Sequence, residues 1–293
     1  MIKVLYVWNT AGTHSPVATW LIDNGHDAKI IMHSSYDIYG NTRISKGAVM
    51  VDSRRDFYWT VIRSIIMFRP TYIHVNGNIP ALVLSRLLAP TTPIVLQYHG
   101  NEVRFRPKVH PEATLADRVI VSTPDLQRFG TWYDRPVESM FYYRGGRKKG
   151  TALMVYTSYF PDKRVLAKSW CAKNNIELRI LDRDVEGGIP FEELPSFLSR
   201  FEYYLDLKGI TDPQTCSKMA LEAMACGCKV ITDFDLDRVL NDYKLATHKT
   251  YISLYLSIKP PLPSVRRILI AISGIMKWCV GRLGKSYVPP GWR

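Results

Sequence analysis

The stretch Asp206-Leu-Lys-Gly-Ile-Thr-Asp-Pro-Gln-Thr-Cys-Ser-Lys-Met-Ala-Leu-Glu-Ala-Met-Ala-Cys-Gly-Cys-Lys-Val-Ile-Thr232 decides the reading of the fold. Polar turn residues lead into strong helix formers from Lys218 to Ala225, Gly227 ends that run, and the β-type Lys229-Val-Ile-Thr232 follows at once. The order is loop, helix, strand. A helix N-terminus carries unpaired backbone N–H groups and a partial positive charge, so the segment through Thr215, Ser217 and Lys218 is a place for phosphate oxygens. Glu222 lies about one and a half turns into the helix, and helical side chains lean toward the N-terminus. Its carboxylate can therefore accept hydrogen bonds from both hydroxyls of a ribose held at that end. The alternative is an ordinary α/β unit with a solvated Glu222.

Leu221-Glu-Ala-Met-Ala-Cys-Gly227 resembles the donor site of retaining glycosyltransferases of the GT-B fold, the family-4-like group. Their pattern has two glutamates separated by seven residues, the second opening such a phrase; here the second is Glu222 and the first position holds Gln214. The resemblance implies an α/β, GT-B architecture, two Rossmann-like domains with parallel sheets facing a central cleft. It also implies hexose transfer from a UDP- or GDP-linked sugar with retention, without a metal and without a resident cofactor. Gln214 then stands where the family places a carboxylate near the transferred sugar.

A length of 293 residues with 46% apolar content suits two small α/β domains. The formal net charge of +13 is uneven: the last 35 residues carry seven Lys/Arg and no acid, and Arg144 to Lys149 adds four. Such placement points to an anionic partner, whether a nucleotide diphosphate, an anionic membrane surface or nucleic acid. Nucleic acid ranks last, because no helix-turn-helix, zinc-finger or RNP-type phrase accompanies the charge. Five cysteines and an opening Met1-Ile-Lys-Val-Leu-Tyr-Val that reads as a strand point to a reducing, cytoplasmic setting. Cys226-Gly-Cys228 has no second Cys/His pair at zinc spacing and reads as buried thiols. No apolar run approaches the roughly 18 to 20 residues of a spanning helix.

Taken in order, Ile2–Trp8 predicts a strand, Asn9–Pro16 a turn, Val17–Asn24 a helix and Asp27–Met32 a second strand. This βαβ opening lacks Gly-x-Gly-x-x-Gly, which argues against a dinucleotide-dependent dehydrogenase. In the resembled family the loop after the first strand faces the acceptor, so Ala11 and Gly12 are candidates for close backbone approach; an ordinary tight turn is the alternative. Strand and helix then alternate through Gly47–Val51, Arg55–Phe68, Thr71–Val75, Ala81–Leu88 and Pro93–Tyr98, the pattern of a parallel doubly wound sheet. Ala116–Pro124 predicts one more strand.

Ligands of such sheets bind at the carboxyl ends of strands, where His99-Gly-Asn-Glu102 stands. His99 aligns with a family histidine facing the donor sugar, and a neutral imidazole there can hydrogen-bond a hydroxyl; Glu102 is a further candidate.

The interdomain linker is expected near Arg144–Gly150, giving residues 1–145 as an acceptor-side domain, 146–263 as the nucleotide-sugar domain and 264–293 as a helix and tail packing back on the first. The family's diphosphate cations fall on Lys163 and near Ser158, where an arginine is missing; Arg164, or one of Arg144, Arg147 and Lys148, is the compensating candidate. One lost charge-assisted contact is worth about 1.5–3 kcal/mol. Asp206 and Lys208 follow a predicted strand Tyr203–Leu207, behind a predicted helix Phe191–Arg200, and Lys208 is a further phosphate cation. Residues 264–285 place apolar residues at helical spacing with basic residues elsewhere, which fits core packing or peripheral contact with an anionic membrane. The expectation is a cytoplasmic glycosyltransferase with a glycan, lipid or protein acceptor, peripheral membrane contact being the alternative to a purely cytoplasmic location. The alternatives are a nucleotide-sugar-binding protein without turnover and a basic nucleic-acid binder.

Overall fold

The computed structural model describes residues 1–37, 40–104, 108–133, 135–142, 145–146, 148–156, 161–207, 216–233, 248–262, 264, 267–274 and 276. Two units divide the chain. Unit 1 is Met1–Asp37, Thr42–Pro136 and Ala246–Arg293; unit 2 is Ile38–Asn41 and Val137–Leu245.

In unit 1 the alternation read from sequence becomes β1 (Lys3–Val7), α1 (Ser15–Asp23), β2 (Asp27–His33), β3 (Ala48–Val51), α2 (Arg54–Phe68), β4 (Tyr72–Asn76), α3 (Ile79–Leu88), β5 (Ile94–Tyr98), α4 (Asn101–Arg104), β6 (Arg118–Val121) and β7 (Thr131–Trp132). The sheet order is β3-β2-β1-β4-β5-β6-β7, parallel throughout, with Val4 opposite both Ala28 and Tyr72. The order reverses between β1 and β4, which is where open α/β sheets bind ligands.

The two-residue period of β1 splits the core. Leu5 and Val7 join α2 and α3, through Phe57, Val61, Ala81 and Leu82, on one face. Val4 and Tyr6 join α1 and a returning helix on the other. Local chemistry sets the helix ends. Ser53 caps α2, its hydroxyl accepting from the Asp56 N–H at 3.0 Å, and α2 stops at Arg69, which turns left-handed before Pro70.

The chain re-enters unit 1 late, as α9 (His248–Ser257) and the helical residues 267–274. Ala271 is buried in the α2/α3 core, with Ile270 packed against it. Asp117 fixes the connection: one oxygen accepts from buried Arg86 and the other from Arg267, each at 2.6 Å. Arg86 also donates to the carbonyls of Leu115 and Pro90, at 2.9 and 2.8 Å, so its buried charge is spread over fixed acceptors.

Unit 2 holds β8 (Lys148–Tyr156), α5 (Pro161–Lys173), β9 (Glu177–Asp182), α6 (Arg183–Glu186), α7 (Leu194–Leu198), β10 (Phe201–Leu205), α8 (Lys218–Ala225) and β11 (Lys229–Ile231). Its parallel sheet runs β11-β10-β8-β9. Three expectations shift. Lys148–Gly150, read as linker, open β8. The helix foreseen over Phe191–Arg200 shrinks to Leu194–Leu198, started by Pro195 in its first turn. The strand foreseen at Tyr203–Leu207 begins two residues earlier and ends at Leu205, the Asp206 N–H still bonding the Ile231 carbonyl at 2.8 Å while its carboxylate accepts from the Ser217 N–H.

Candidate functional site

The carboxyl ends of the two sheets carry different polar clusters. In unit 1 the chain leaves β1 at Trp8, whose φ of 71° is uncommon for a residue with a side chain. Asn76, at the end of β4, donates its amide to the Trp8 carbonyl and so holds that turn. The Asn76 oxygen then faces two imidazoles, with Nε2 of His14 at 2.6 Å and Nε2 of His99 at 2.9 Å. An oxygen only accepts, so both rings carry their proton on Nε2. In the neutral His99 ring, Nδ1 consequently accepts from the Ser122 hydroxyl at 2.8 Å. Ser122 is in turn bonded by Gln97 at 2.8 Å, and Gln97 reaches the Tyr251 hydroxyl at 3.3 Å.

Beneath lies His74, fully buried, with Nδ1 2.9 Å from the Tyr255 hydroxyl, which also bonds Tyr6 at 3.1 Å. The rings of His14 and His74 are 4.2 Å apart. Burial, and then the neighbouring His14 and His99, keep His74 well below the usual histidine range. Burial likewise pushes the phenols of Tyr6 and Tyr255 up, so this cluster is neutral. His99 thus stands at the foreseen strand end with both nitrogens engaged inside unit 1. Glu102 accepts from the His99 backbone N–H and so fixes the turn that carries it. Gly12 is buried with φ 65° in a short 3₁₀ turn, a conformation that favours glycine.

In unit 2 the cluster is charged. The Asp206 carboxylate accepts from the Ser217 N–H at 2.9 Å, and the Ser217 hydroxyl caps α8 by accepting from the Ala220 N–H at 3.1 Å. One turn on, Lys218 and Glu222 pair at 3.4 Å, with side chains only 8% and 4% exposed. The ammonium also lies 5.7 Å from the ring centre of Phe191. Glu138 shares this environment: burial lifts its carboxyl to about 7, Lys218 lowers it and Glu222 raises it. Tyr204, buried beside Asp206 and Glu222, has its phenol pushed well up, first by burial and then by Asp206. Cys226, at the end of α8, is pushed up to about 12, by burial first and then by Cys228 and Glu222. Both are buried thiols.

Of the site residues expected from sequence, the structure gathers Ser217, Lys218 and Glu222 at the start of α8. Lys163 and Arg164 stand in the first turn of α5, where Arg164 pairs with Asp182 at 3.6 Å. Gly12 and His99 belong to unit 1. Gln214, Lys208 and Thr215 lie outside the described residues, as do Ser158, Arg144 and Arg147. Sequence reading missed Glu138 and Tyr204 in unit 2, and His14, His74 and Asn76 in unit 1. A histidine inside the apolar run Tyr72-Ile-His-Val75 was the available signal for the latter group. Among the described residues, no group of three His, Cys, Asp or Glu side chains is arranged to hold a metal.

Solved structures similar to this chain include an alpha-glucosyltransferase in complex with UDP and a 13-mer DNA containing an HMU base, at 12% identity and a TM-score of 0.51 over 79% of each chain. A second is an alpha-glucosyltransferase in complex with UDP, at 12% identity and a TM-score of 0.50 over 79% of this chain and 80% of that one. The fold class is GT-B. No protein-family model matches the sequence, and no curated protein matches it. At this identity the likeness concerns architecture: α/β units with parallel sheets, each presenting polar residues at its strands' carboxyl ends.

Proposed function

We propose that the protein is a glycosyltransferase that moves a hexose from a nucleotide diphosphate sugar, with unit 2 holding the donor. The observation that carries the reading is the cluster at the start of α8. A buried Glu222, its partner Lys218 and the capped Ser217 turn gather at the helix N-terminus that follows β10 in a parallel sheet. The likeness of fold to two UDP-bound alpha-glucosyltransferases supports it.

In this reading Glu222 takes the ribose hydroxyls, and Lys163 and Arg164 approach the diphosphate. Lys208 and the backbone from Thr215 to Lys218 complete the cradle. Binding would rearrange two contacts: the Lys218 ammonium turns from Glu222 toward phosphate, and the Asp206 carboxylate leaves the Ser217 N–H. Cations and amides then stabilise the negative charge that builds on the leaving diphosphate. Retention of configuration and independence of metal rest on the family resemblance at Leu221–Gly227. His99, foreseen as a partner of sugar hydroxyls, has both ring nitrogens bonded to Asn76 and Ser122, so that role requires it to give up one of these bonds on binding.

Incubation with UDP- and GDP-sugars, followed by calorimetry and nucleotide release, tests the reading. Binding of at least one nucleotide is expected at millimolar concentration or below; none in either series refutes it. The acceptor screen should include glycans, lipids, proteins and an HMU-containing DNA like that bound by one structural neighbour. Gln214, in place of the family's first glutamate, favours a second reading, a nucleotide-sugar-binding protein without turnover. Tight binding with no transfer to any acceptor supports that one, whereas transfer abolished by Gln214→Ala excludes it.

A further inference from the structure

Helix α2 turns Phe57, Val61, Ser64 and Ile65 into the core of unit 1. At about 100° per residue, the opposite stripe is Arg55, Trp59, Arg63 and Ile66. Trp59 is 63% exposed and Ile66 54%, and neighbouring Met67 is 73% exposed. The helices beside α2 continue the pattern. α3 packs against α2 and exposes Leu88. Residues 267–274 and 276 bury Ala271 in the same core, bring Gly274 against Val83 of α3, and expose Leu269, Ile272 and Met276.

Seven of the fifteen exposed large hydrophobics among the described residues therefore stand on one layer of unit 1. Scattered surface hydrophobics need no explanation, but a layer of them marks an interaction face. The charge on this layer selects the partner. α2 and its C-cap carry Arg54, Arg55, Arg63 and Arg69 against the single acid Asp56. At the far end of the helix, Lys3 and Lys29 lie 5.6 and 5.2 Å from the ring centre of Phe68. A shallow pocket lined by Arg54, Arg55, Tyr58, Trp59 and Ile62 opens on the first turns of α2.

We propose that this three-helix layer docks on an anionic lipid surface. Trp59, Ile66 and Met67 enter the headgroup region while Arg55 and Arg63 meet lipid phosphates. The interleaving of Arg and apolar residues along one stripe fits a headgroup plane, where Trp is enriched and each nearby cation adds affinity. A protein interface also favours Trp, Met and Arg but keeps charge out of its centre, whereas here Arg55 and Arg63 alternate with Trp59 and Ile66 along the middle of the stripe. Contact is superficial: among the described residues no helix is long and apolar enough to cross a bilayer. The layer adds α2 and α3 to the described part of the C-terminal segment, for which membrane contact was one reading of the sequence.

The test uses the full chain without nucleotide, so its outcome is independent of the donor reading. Vesicles of phosphatidylcholine, with and without phosphatidylglycerol, are sedimented with the protein across a salt series. Binding is expected only to the anionic vesicles, weakening with salt. R55A/R63A should lower the partition coefficient about thirty-fold, roughly five-fold per cation. The blue shift of tryptophan emission on binding should shrink in W59F, and unchanged circular dichroism shows that the variants fold. Equal affinity for neutral vesicles, no binding, or full binding by R55A/R63A each overturns the proposal. Concentration-dependent self-association lost in W59S, without vesicle binding, assigns the face to a second copy and overturns it as well.

Discussion

Unit 1 and unit 2 solve the same architectural problem with opposite chemistry. Both end parallel strands in a polar cluster, yet unit 1 fills that place with Asn, Ser, Tyr and three histidines, of which His74 is held neutral by burial, and unit 2 with Glu138, Asp206, Lys218 and Glu222. A neutral network costs little once every donor has an acceptor, and it holds one geometry. A buried charged cluster costs desolvation whatever its geometry and responds strongly to any added charge. The neutral end suits a rigid wall. The charged end sets three carboxyls, Glu138, Asp206 and Glu222, against Lys218, so on the donor reading the diphosphate charge is met by Lys163, Arg164 and the N–H groups at the start of α8.

The sharpest way to break this contrast is to remove Lys218, the cation paired with Glu222. Lys218→Met takes away the ammonium 3.4 Å from a buried carboxylate and should destabilise unit 2 by about 3–5 kcal/mol. Hydrogen exchange of the α8 and β10 amides measures this locally. The double variant Lys218→Met with Glu222→Gln should recover most of the loss. A loss under about 1 kcal/mol for the single variant would mean that the pair is well hydrated, and the contrast would disappear.

The neutral end breaks more gently. Asn76→Ala strips the Trp8 carbonyl of its donor and the Nε2–H groups of His14 and His99 of their acceptor. At about 1–3 kcal/mol for each group left unsatisfied, less where water enters, unit 1 should lose about 2–4 kcal/mol. Asn76→Asp separates geometry from charge, because a carboxylate between two imidazoles pulls a proton onto them. Its unfolding should acquire a pH dependence near neutrality opposite in sign to the one His74 gives the parent, stability being lost as pH rises.

Titration separates the two ends by sign. His74 is held neutral in the folded state, so below about pH 6.5 the unfolded chain binds a proton that the native one does not. Unit 1 therefore loses stability as pH falls through that range. Glu138 behaves the other way. Its folded carboxyl, raised from 4.5 to about 7, keeps a proton that the unfolded chain releases, so its contribution is present at acid pH and is lost as pH rises toward 7. The swing is at most about 3 kcal/mol. Amide exchange, corrected for intrinsic rates, should show β4 protected better and α8 less well as pH rises from about 4.5 to 7. Glu138→Gln should flatten the second trend alone; parallel trends in both units would remove the distinction.

What the sequence foretold follows from range. α8 was legible to the residue, because Ser217, the run Lys218–Ala225 and Gly227 are local signals. The βα order of unit 1 was legible for the same reason. The partner of Asp206 was not, since its carboxylate bonds an N–H eleven residues away. Nor was the neutral cluster, in which Asn76 joins His14 across 62 residues and His74 meets Tyr255 across 181. Glu138 is separated from Lys218 by 80 positions, and no short motif spans such a gap. His99 shows both limits: its place at the strand end was readable, but the two partners that fix its tautomer were not.

The smallest expected effect is the most diagnostic for the donor reading. Arg164 is 46% exposed and 3.6 Å from Asp182, so as a surface pair it should contribute less than about 0.5 kcal/mol to stability. Arg164→Ala should therefore leave the exchange of α5 and β9 unchanged. If the guanidinium releases Asp182 to meet a diphosphate, the same variant should weaken nucleotide binding by about 1.5–3 kcal/mol, while Asp182→Ala, which frees Arg164, should leave binding intact or improve it. Opposite responses of the two partners require that Arg164 serve the ligand. Equal, small responses would confine Arg164 to the surface of unit 2 and leave the diphosphate charge to Lys163 and the start of α8.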